Sequence, residues 1–131
     1  MARWGVFADM DVAQQQLLPP YLCVQRNVLT YKPAERRQCN DTAAAVGSAH
    51  ACAVESVLRN HDTFYVHVDG AEVGPFDVSF ADVHAVASAT ARYHGKLSAL
   101  VVRNASGWTK VGRQALVALG YDELASRIVV A

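Results

Sequence analysis

Apolar and polar residues alternate most regularly between Thr63 and Phe76, where the sequence reads TFYVHVDGAEVGPF. In a strand, successive side chains point to opposite faces, so Phe64, Val66 and Val68 would share the apolar face. The other face would carry Tyr65, His67 and Asp69. The Asp69-Gly70 dipeptide is a typical hairpin turn. The pattern therefore predicts a β-hairpin at 63–76.

Further strands are predicted on both sides of this segment. The apolar run Leu97–Arg103 is typical of a buried strand, and the turn residues of 104–107 follow it. If Trp108–Val111 returns beside it, a second hairpin forms at about 98–111, with Arg103 facing Trp108. Shorter β-rich segments predict the remaining strands: Trp4–Ala8, one long or two short strands in Tyr21–Tyr31, and Ile128–Val130.

Helical spacing and capping residues predict three helices. Asp41 or Thr42 would cap a helix at about 42–59, and Gly47 inside it indicates close packing. Ser79 and Asp82 have the spacing of a capping box for a helix at 79–93. A third helix at 113–119 ends before Gly120. Residues 1–131 are thus expected to form a single α+β domain, with a mixed or mainly antiparallel sheet.

Composition supports a folded, soluble chain. Of the 131 residues, 52% are apolar and 18% are charged, which is typical of a globular domain. No segment has the length and apolarity of a membrane span, and the N-terminal sequence does not resemble a signal peptide. Three cysteines without a CxxC motif favour a reducing compartment, so we expect a cytoplasmic protein.

The net charge is formally zero, which argues against a nucleic-acid partner and against an anionic membrane. It also leaves little electrostatic repulsion between copies, so a homodimer is allowed. Acids and bases are nevertheless sorted along the chain: residues 60–82 hold five acids and no Lys or Arg, and residues 83–119 hold five bases and no acid. Turns and helix caps account for much of the acidic run. We therefore expect a binding surface in the basic run.

Two groups of residues are candidates for recognition. Tyr65 and His67, on the polar face of the predicted hairpin, suit a planar ligand or a peptide. Arg103, Trp108 and Lys110 combine cations with an aromatic ring, which suits a small anionic ligand or an acidic protein surface. The structural alternatives are a solvated sheet face for the first group and a stabilising Arg103–Trp108 stack for the second.

A thiol enzyme is the alternative hypothesis. Cys39 precedes a predicted helix, whose N-terminus would lower a thiol pKa. His67 would act as the base and Asp69 or Asp77 would orient it, in a hydrolase or transferase.

Metal and cofactor sites are not predicted. His50 and Cys52 point apart on a helix, so they chelate poorly. His50 and His84 could meet as a pH-sensitive or metal-binding pair only if both helices packed on the same face of the sheet. The phosphate-binding and dinucleotide-binding glycine motifs are absent from the sequence. The sequence therefore favours a small non-enzymatic binding or regulatory domain that contacts a protein partner or a small anionic ligand.

Overall fold

The computed structural model describes residues 18–73, 79–105 and 108–131. Five strands in these ranges form one sheet: β1 (Leu22–Gln25), β2 (Val28–Tyr31), β3 (Phe64–Asp69), β4 (Leu97–Arg103) and β5 (Ile128–Val130). They lie side by side in sequence order. The first two strands are antiparallel, and each later strand is parallel to its predecessor. The predicted α+β class with a mixed sheet is confirmed.

Helices connect the strands: α1 (Pro33–Arg37), α2 (Ala43–Leu58), α3 (Phe80–Ala91), α4 (Trp108–Ala118) and α5 (Asp122–Ser126), with a short 3-10 turn at His94–Lys96. Thr42 caps α2 by accepting a 3.1 Å hydrogen bond from the Ala45 amide. Ser79 caps α3 in the same way with the Asp82 amide, also at 3.1 Å. The helices predicted at 42–59 and 79–93 are thus confirmed. Both begin at capping residues that the sequence analysis had indicated.

Both predicted hairpins are wrong. At 98–111, Trp108–Val111 is the first turn of α4 rather than a returning strand, so Arg103 and Trp108 are not cross-strand partners. The helix predicted at 113–119 therefore begins earlier, at Trp108. At 63–76, strand β3 is present, but β2 and β4 pair with its two edges, and neither edge is free for a return strand.

All the long helices pack on one face of the sheet. Because β2 to β5 are adjacent and parallel in sequence order, right-handed crossovers place the connecting helices on the same side. The core lies there, between Leu29, Phe64 and Val66 of the sheet and the fully buried Val54 and Val57 of α2.

Gly47 lies at a point where α2 approaches α3 closely. A Cβ at this position would lie 3.2 Å from the carbonyl oxygen of Ala85 and 3.3 Å from the Ala85 Cβ. The close packing predicted from this glycine is therefore present, and it brings two helices together above the sheet.

Within the residues that the structure describes, no helix is long and apolar enough to cross a membrane. The strand predicted at Trp4–Ala8 lies outside those residues, and the single-domain expectation for 1–131 stays a prediction.

Candidate functional site

A cavity of about 130 Å³ lies between the sheet and the helical layer; we call it the strand-end cavity. Its sheet side is formed by Tyr31, Val68, Leu100, Val102 and Ile128. These residues lie mainly toward the carboxyl ends of β2, β3 and β4. In sheets of this type, ligands bind outside the carboxyl ends of parallel strands.

The helical side of the strand-end cavity is also largely apolar. Helix α3 contributes Val83, Val86 and Ala87, while Leu116 and Leu124 come from α4 and α5. The cavity thus joins residues from eight elements of the fold, and its interior suits an uncharged, water-excluded group.

Charged residues occupy the rim of the cavity. They are Arg36, Arg37, Asp82 and Arg113, three bases against one acid. Arg37 and Arg113 are solvent-exposed, so this side of the cavity faces water. The rim therefore carries an excess of two positive charges over an apolar interior.

Arg36 and Asp82 form an ion pair that joins α1 to the first turn of α3. The Asp82 Oδ1 atom accepts a hydrogen bond from Arg36 Nη2 at 3.1 Å, and Oδ2 lies 3.1 Å from Nε. Their side chains are only 14% and 18% exposed, which limits screening by water. Arg36 Nη1 also donates to the carbonyl of Cys39, at 3.3 Å. The pair therefore holds one side of the rim in place.

Tyr31 and Thr109 are polar groups of the cavity wall. Burial, and secondarily the negative charge of Asp82, raises the pKa of Tyr31, so its phenol is neutral at physiological pH. The Thr109 Oγ1 atom is buried and has no hydrogen-bond partner within the described ranges. Thr109 lies in the first turn of α4, where backbone N–H groups favour an anion. The wall thus offers neutral polar groups next to the cationic rim.

The opposite face of the sheet, which we call the open face, is made of three rows of side chains across the strands. The first row is Gln25, Val28, Tyr65 and Ala99; the second is Cys23, Thr30, His67, Val101 and Val129; the third pairs Asp69 with Arg103. The apolar side chains of these rows belong to neither core cluster of the described chain.

Tyr65, His67 and Arg103, three of the predicted recognition residues, share this open face. The Tyr65 and His67 rings meet edge to face, with centroids 6.4 Å apart. Burial, and secondarily the positive charge of Arg103, lowers the pKa of His67, so the imidazole is neutral at pH 7. The alternation read from the sequence therefore assigned Tyr65 and His67 to the correct face, whereas Arg103 was expected beside Trp108.

Asp69 has a structural role at the end of β3. Its Oδ1 atom accepts hydrogen bonds from Asn104 Nδ2 at 2.8 Å and from the Ala71 amide at 3.1 Å. The Asn104 bond first, and the Ala71 amide second, lower the pKa of Asp69. The carboxylate thus stabilises two strand-end turns, and neither bond directs it toward His67.

Trp108 and Lys110 lie apart from Arg103, in a different element. Both belong to the start of α4, and Lys110 is exposed beside Thr109 and Arg113 in a shallow depression next to β5. The predicted cluster of Arg103, Trp108 and Lys110 is therefore divided between the end of β4 and a helix.

Cys39 and His67 are placed on opposite sides of the sheet. Cys39 is half-buried and packs against the core on the helical side. His67 follows the buried Val66 on β3, so it points to the open face. The structure does not bring this predicted nucleophile and base together.

The two histidines proposed as a pair each have a different partner. His50 Nε2 lies 3.0 Å from Thr90 Oγ1, and His84 Nδ1 lies 3.0 Å from the hydroxyl of Tyr121. Helices α2 and α3 do pack on one face, yet the histidines are engaged separately. No group of three or more potential metal ligands occurs in the part of the chain that the structure describes.

Sequence reasoning missed the strand-end cavity and its rim. Arg36 and Asp82 are 46 residues apart, so no local pattern connects them. One signal was available: Arg36 follows a strand closely, and Asp82 lies in a predicted capping box. Once parallel pairing is known, both positions are expected at the carboxyl edge of the sheet.

Comparisons with protein-family models, with curated proteins and with solved structures find no match to this chain.

Proposed function

We propose that this chain is a non-enzymatic binding domain for a small amphipathic anion, meaning a carboxylate or phosphate that carries a short alkyl or single aromatic group. The observation that supports it is the strand-end cavity, where an apolar interior meets a rim of three arginines and one aspartate. The apolar part of the ligand would enter the cavity, and its anionic group would remain at the rim.

The volume limits the size of the apolar group. A dry apolar cavity of about 150 Å³ accommodates benzene. The strand-end cavity, at about 130 Å³, therefore has room for a phenyl ring or a chain of similar size.

The charge of the rim determines which head group fits. Asp82 is already engaged by Arg36, and Arg113 makes no ion pair with any residue that the structure describes. An anionic head group near Arg113 and the first turn of α4 would gain charge-assisted hydrogen bonds. A neutral head group would lack the attraction between opposite charges, and a cationic one would be repelled by the excess positive charge of the rim.

Calorimetric titration with benzoate, phenyl phosphate and benzyl alcohol tests the proposal. We expect one of the two anions to bind at least tenfold more tightly than benzyl alcohol, because the alcohol has the same ring without the charge. Acetate should bind weakly, since it cannot fill the cavity. If neither aromatic anion binds at millimolar concentration, the proposal is wrong.

Two substitutions and their controls locate the site. Ala87→Leu fills the cavity from α3 and should abolish binding, whereas Ala81→Leu, at an exposed position of the same helix, should not. Arg113→Gln should weaken the binding of the anion about fivefold, as expected for loss of a contact with an exposed charge. Arg59→Gln makes the same change of charge at the end of α2, away from the cavity lining, and should leave affinity unchanged.

A further inference from the structure

The open face of the sheet needs a cover that the helical layer does not provide. Three of the four strand pairs are parallel, and parallel sheets are almost always covered on both faces. Apolar side chains run across its first two rows: Val28, Tyr65, Ala99, Val101 and Val129. Tyr65 is 37% exposed and Val129 is 51% exposed. Such a face favours association.

We propose that the open face binds the open face of a second copy of this chain, with the two-fold axis parallel to the strands and between β3 and β4. This axis would place β3 of one copy over β4 of the other, with the strand ends aligned. The residues that are neighbours within one sheet would then also face each other between copies.

Side-chain size and charge both fit this arrangement. The register pairs Tyr65 with Ala99 and Asp69 with Arg103. In the dimer, the large Tyr65 ring would lie over the small Ala99 of the second copy, and Asp69 would face the opposite charge of Arg103. Because the operation is symmetric, each contact occurs twice. The zero net charge of the chain adds little repulsion between copies.

The area fits a reversible dimer. Strands are spaced about 4.8 Å apart and advance about 3.3 Å per residue, so the overlapping faces would bury about 800 to 1,000 Å² in total. This is below the roughly 1,200 Å² at which stable interfaces begin and is typical of weak, transient ones. We therefore expect a dimer that forms at micromolar concentration and dissociates on dilution.

Analytical ultracentrifugation over a concentration series tests the association itself. The full chain should shift from monomer to dimer between about 1 and 500 µM, and Val101→Asp should abolish the shift. Val117→Asp introduces the same group at a position of α4 that is 51% exposed, and should leave the dimer intact. A wild-type chain that stays monomeric throughout, or a dimer that tolerates Val101→Asp, overturns the proposal.

Charge reversal tests the axis. Asp69→Arg alone and Arg103→Asp alone would each place like charges opposite each other and should weaken self-association. An equimolar mixture of the two variants restores opposite charges and should form a heterodimer. Circular dichroism verifies that each variant is folded, and failure of the folded mixture to associate overturns the proposed pairing.

Labelling with a thiol probe shows whether the open face is covered by a second copy or by another part of the same chain. It does so without a substitution that disrupts the interface. Thr30→Cys in a Cys23→Ser background places a reporter in the second row of the open face, and the exposed Cys52 of α2 is the reference thiol. Protection of the thiol at position 30 from a thiol-reactive probe, measured relative to Cys52, should increase with protein concentration. Protection that is independent of concentration would mean that the chain covers its own face. Absence of protection would mean that the face stays open, and either result contradicts the dimer.

Discussion

His50 and Thr90 form a buried hydrogen bond between α2 and α3, with Nε2 of the histidine 3.0 Å from Oγ1 of the threonine. The threonine hydroxyl itself donates to the carbonyl of Val86, at 2.8 Å, so it accepts the proton of His50 Nε2. His50 Nδ1 is then the unprotonated nitrogen, and it is buried without a partner in the described chain. Burial lowers the pKa of His50 to about 4. The imidazole is therefore neutral in the folded chain at pH 7, because a proton on Nδ1 would place a buried charge without a partner among the described residues.

The first prediction is a loss of stability in mild acid. Above pH 6.5 the imidazole is neutral in both the folded and the unfolded chain, and it imposes no penalty. Between pH 6.5 and about 4 only the unfolded chain takes up the proton, so the free energy of unfolding falls as the pH falls. The contribution is up to about 3 kcal/mol. Urea unfolding at pH 7 and at pH 4.5 measures it.

The control for this prediction is the exposed His84. His84→Gln should retain the acid-dependent loss, whereas His50→Gln should remove most of it, whatever its stability at pH 7. An unfolding free energy of the wild-type chain that is equal at the two pH values would contradict the role assigned to His50.

Sequence reasoning identified α2 and α3 because their signals are local. Thr42 and Ser79 each accept a hydrogen bond from an amide three residues later, as their spacing predicts. Gly47 was likewise informative. A glycine inside a helix lowers the stability of the helix relative to alanine, so its presence indicates that close packing leaves no room for a side chain. These features depend on a few consecutive residues.

The strand pairing could not be read in the same way. Alternation in 64–69 predicts a strand and its two faces, but it is identical for parallel and antiparallel neighbours. Asp69-Gly70 has the composition of a hairpin turn, yet Asp69 bonds to Asn104 and Ala71, at the ends of two parallel strands. The β-branched residues after Trp108 also look like a strand, although tertiary packing makes them helical. The position of the cavity rim depends on that strand pairing, so the rim could not be predicted from the sequence either.

The second prediction concerns Arg127, which joins the end of α5 to the start of β4. Its Nη1 atom donates to the carbonyls of His94 at 2.9 Å and Leu97 at 3.0 Å, and its Nη2 lies 3.0 Å from Glu123 Oε1. Lysine cannot reproduce this forked geometry. Arg127→Lys should lower the free energy of unfolding by about 1 kcal/mol in urea titrations. Arg59→Lys, at an exposed helix end, should change it by less than about 0.5 kcal/mol.

The third prediction concerns Gly47. Gly47→Val should destabilise the chain by about 2 kcal/mol, because its side chain would collide with the Ala85 backbone on α3. Thermal and urea unfolding measure the loss. Ser48→Val makes a comparable change at the next, exposed position of α2 and should have less than about 0.5 kcal/mol of effect. Equal losses in the two variants would show that β-branching in the helix, and not contact with α3, is responsible.

The last prediction addresses the thiol-enzyme hypothesis directly. Cys39 is half-buried on the helical side of the sheet, and His67 lies on the open face, so the His67 imidazole is not placed to activate the thiol. We expect iodoacetamide at pH 6 to label Cys39 no faster than the exposed Cys52, as measured by peptide mass spectrometry. His67→Ala should leave the Cys39 rate unchanged. Labelling of Cys39 at least tenfold faster than Cys52, together with slowing by His67→Ala, would instead support a catalytic thiol, because only an activated thiolate combines these two properties.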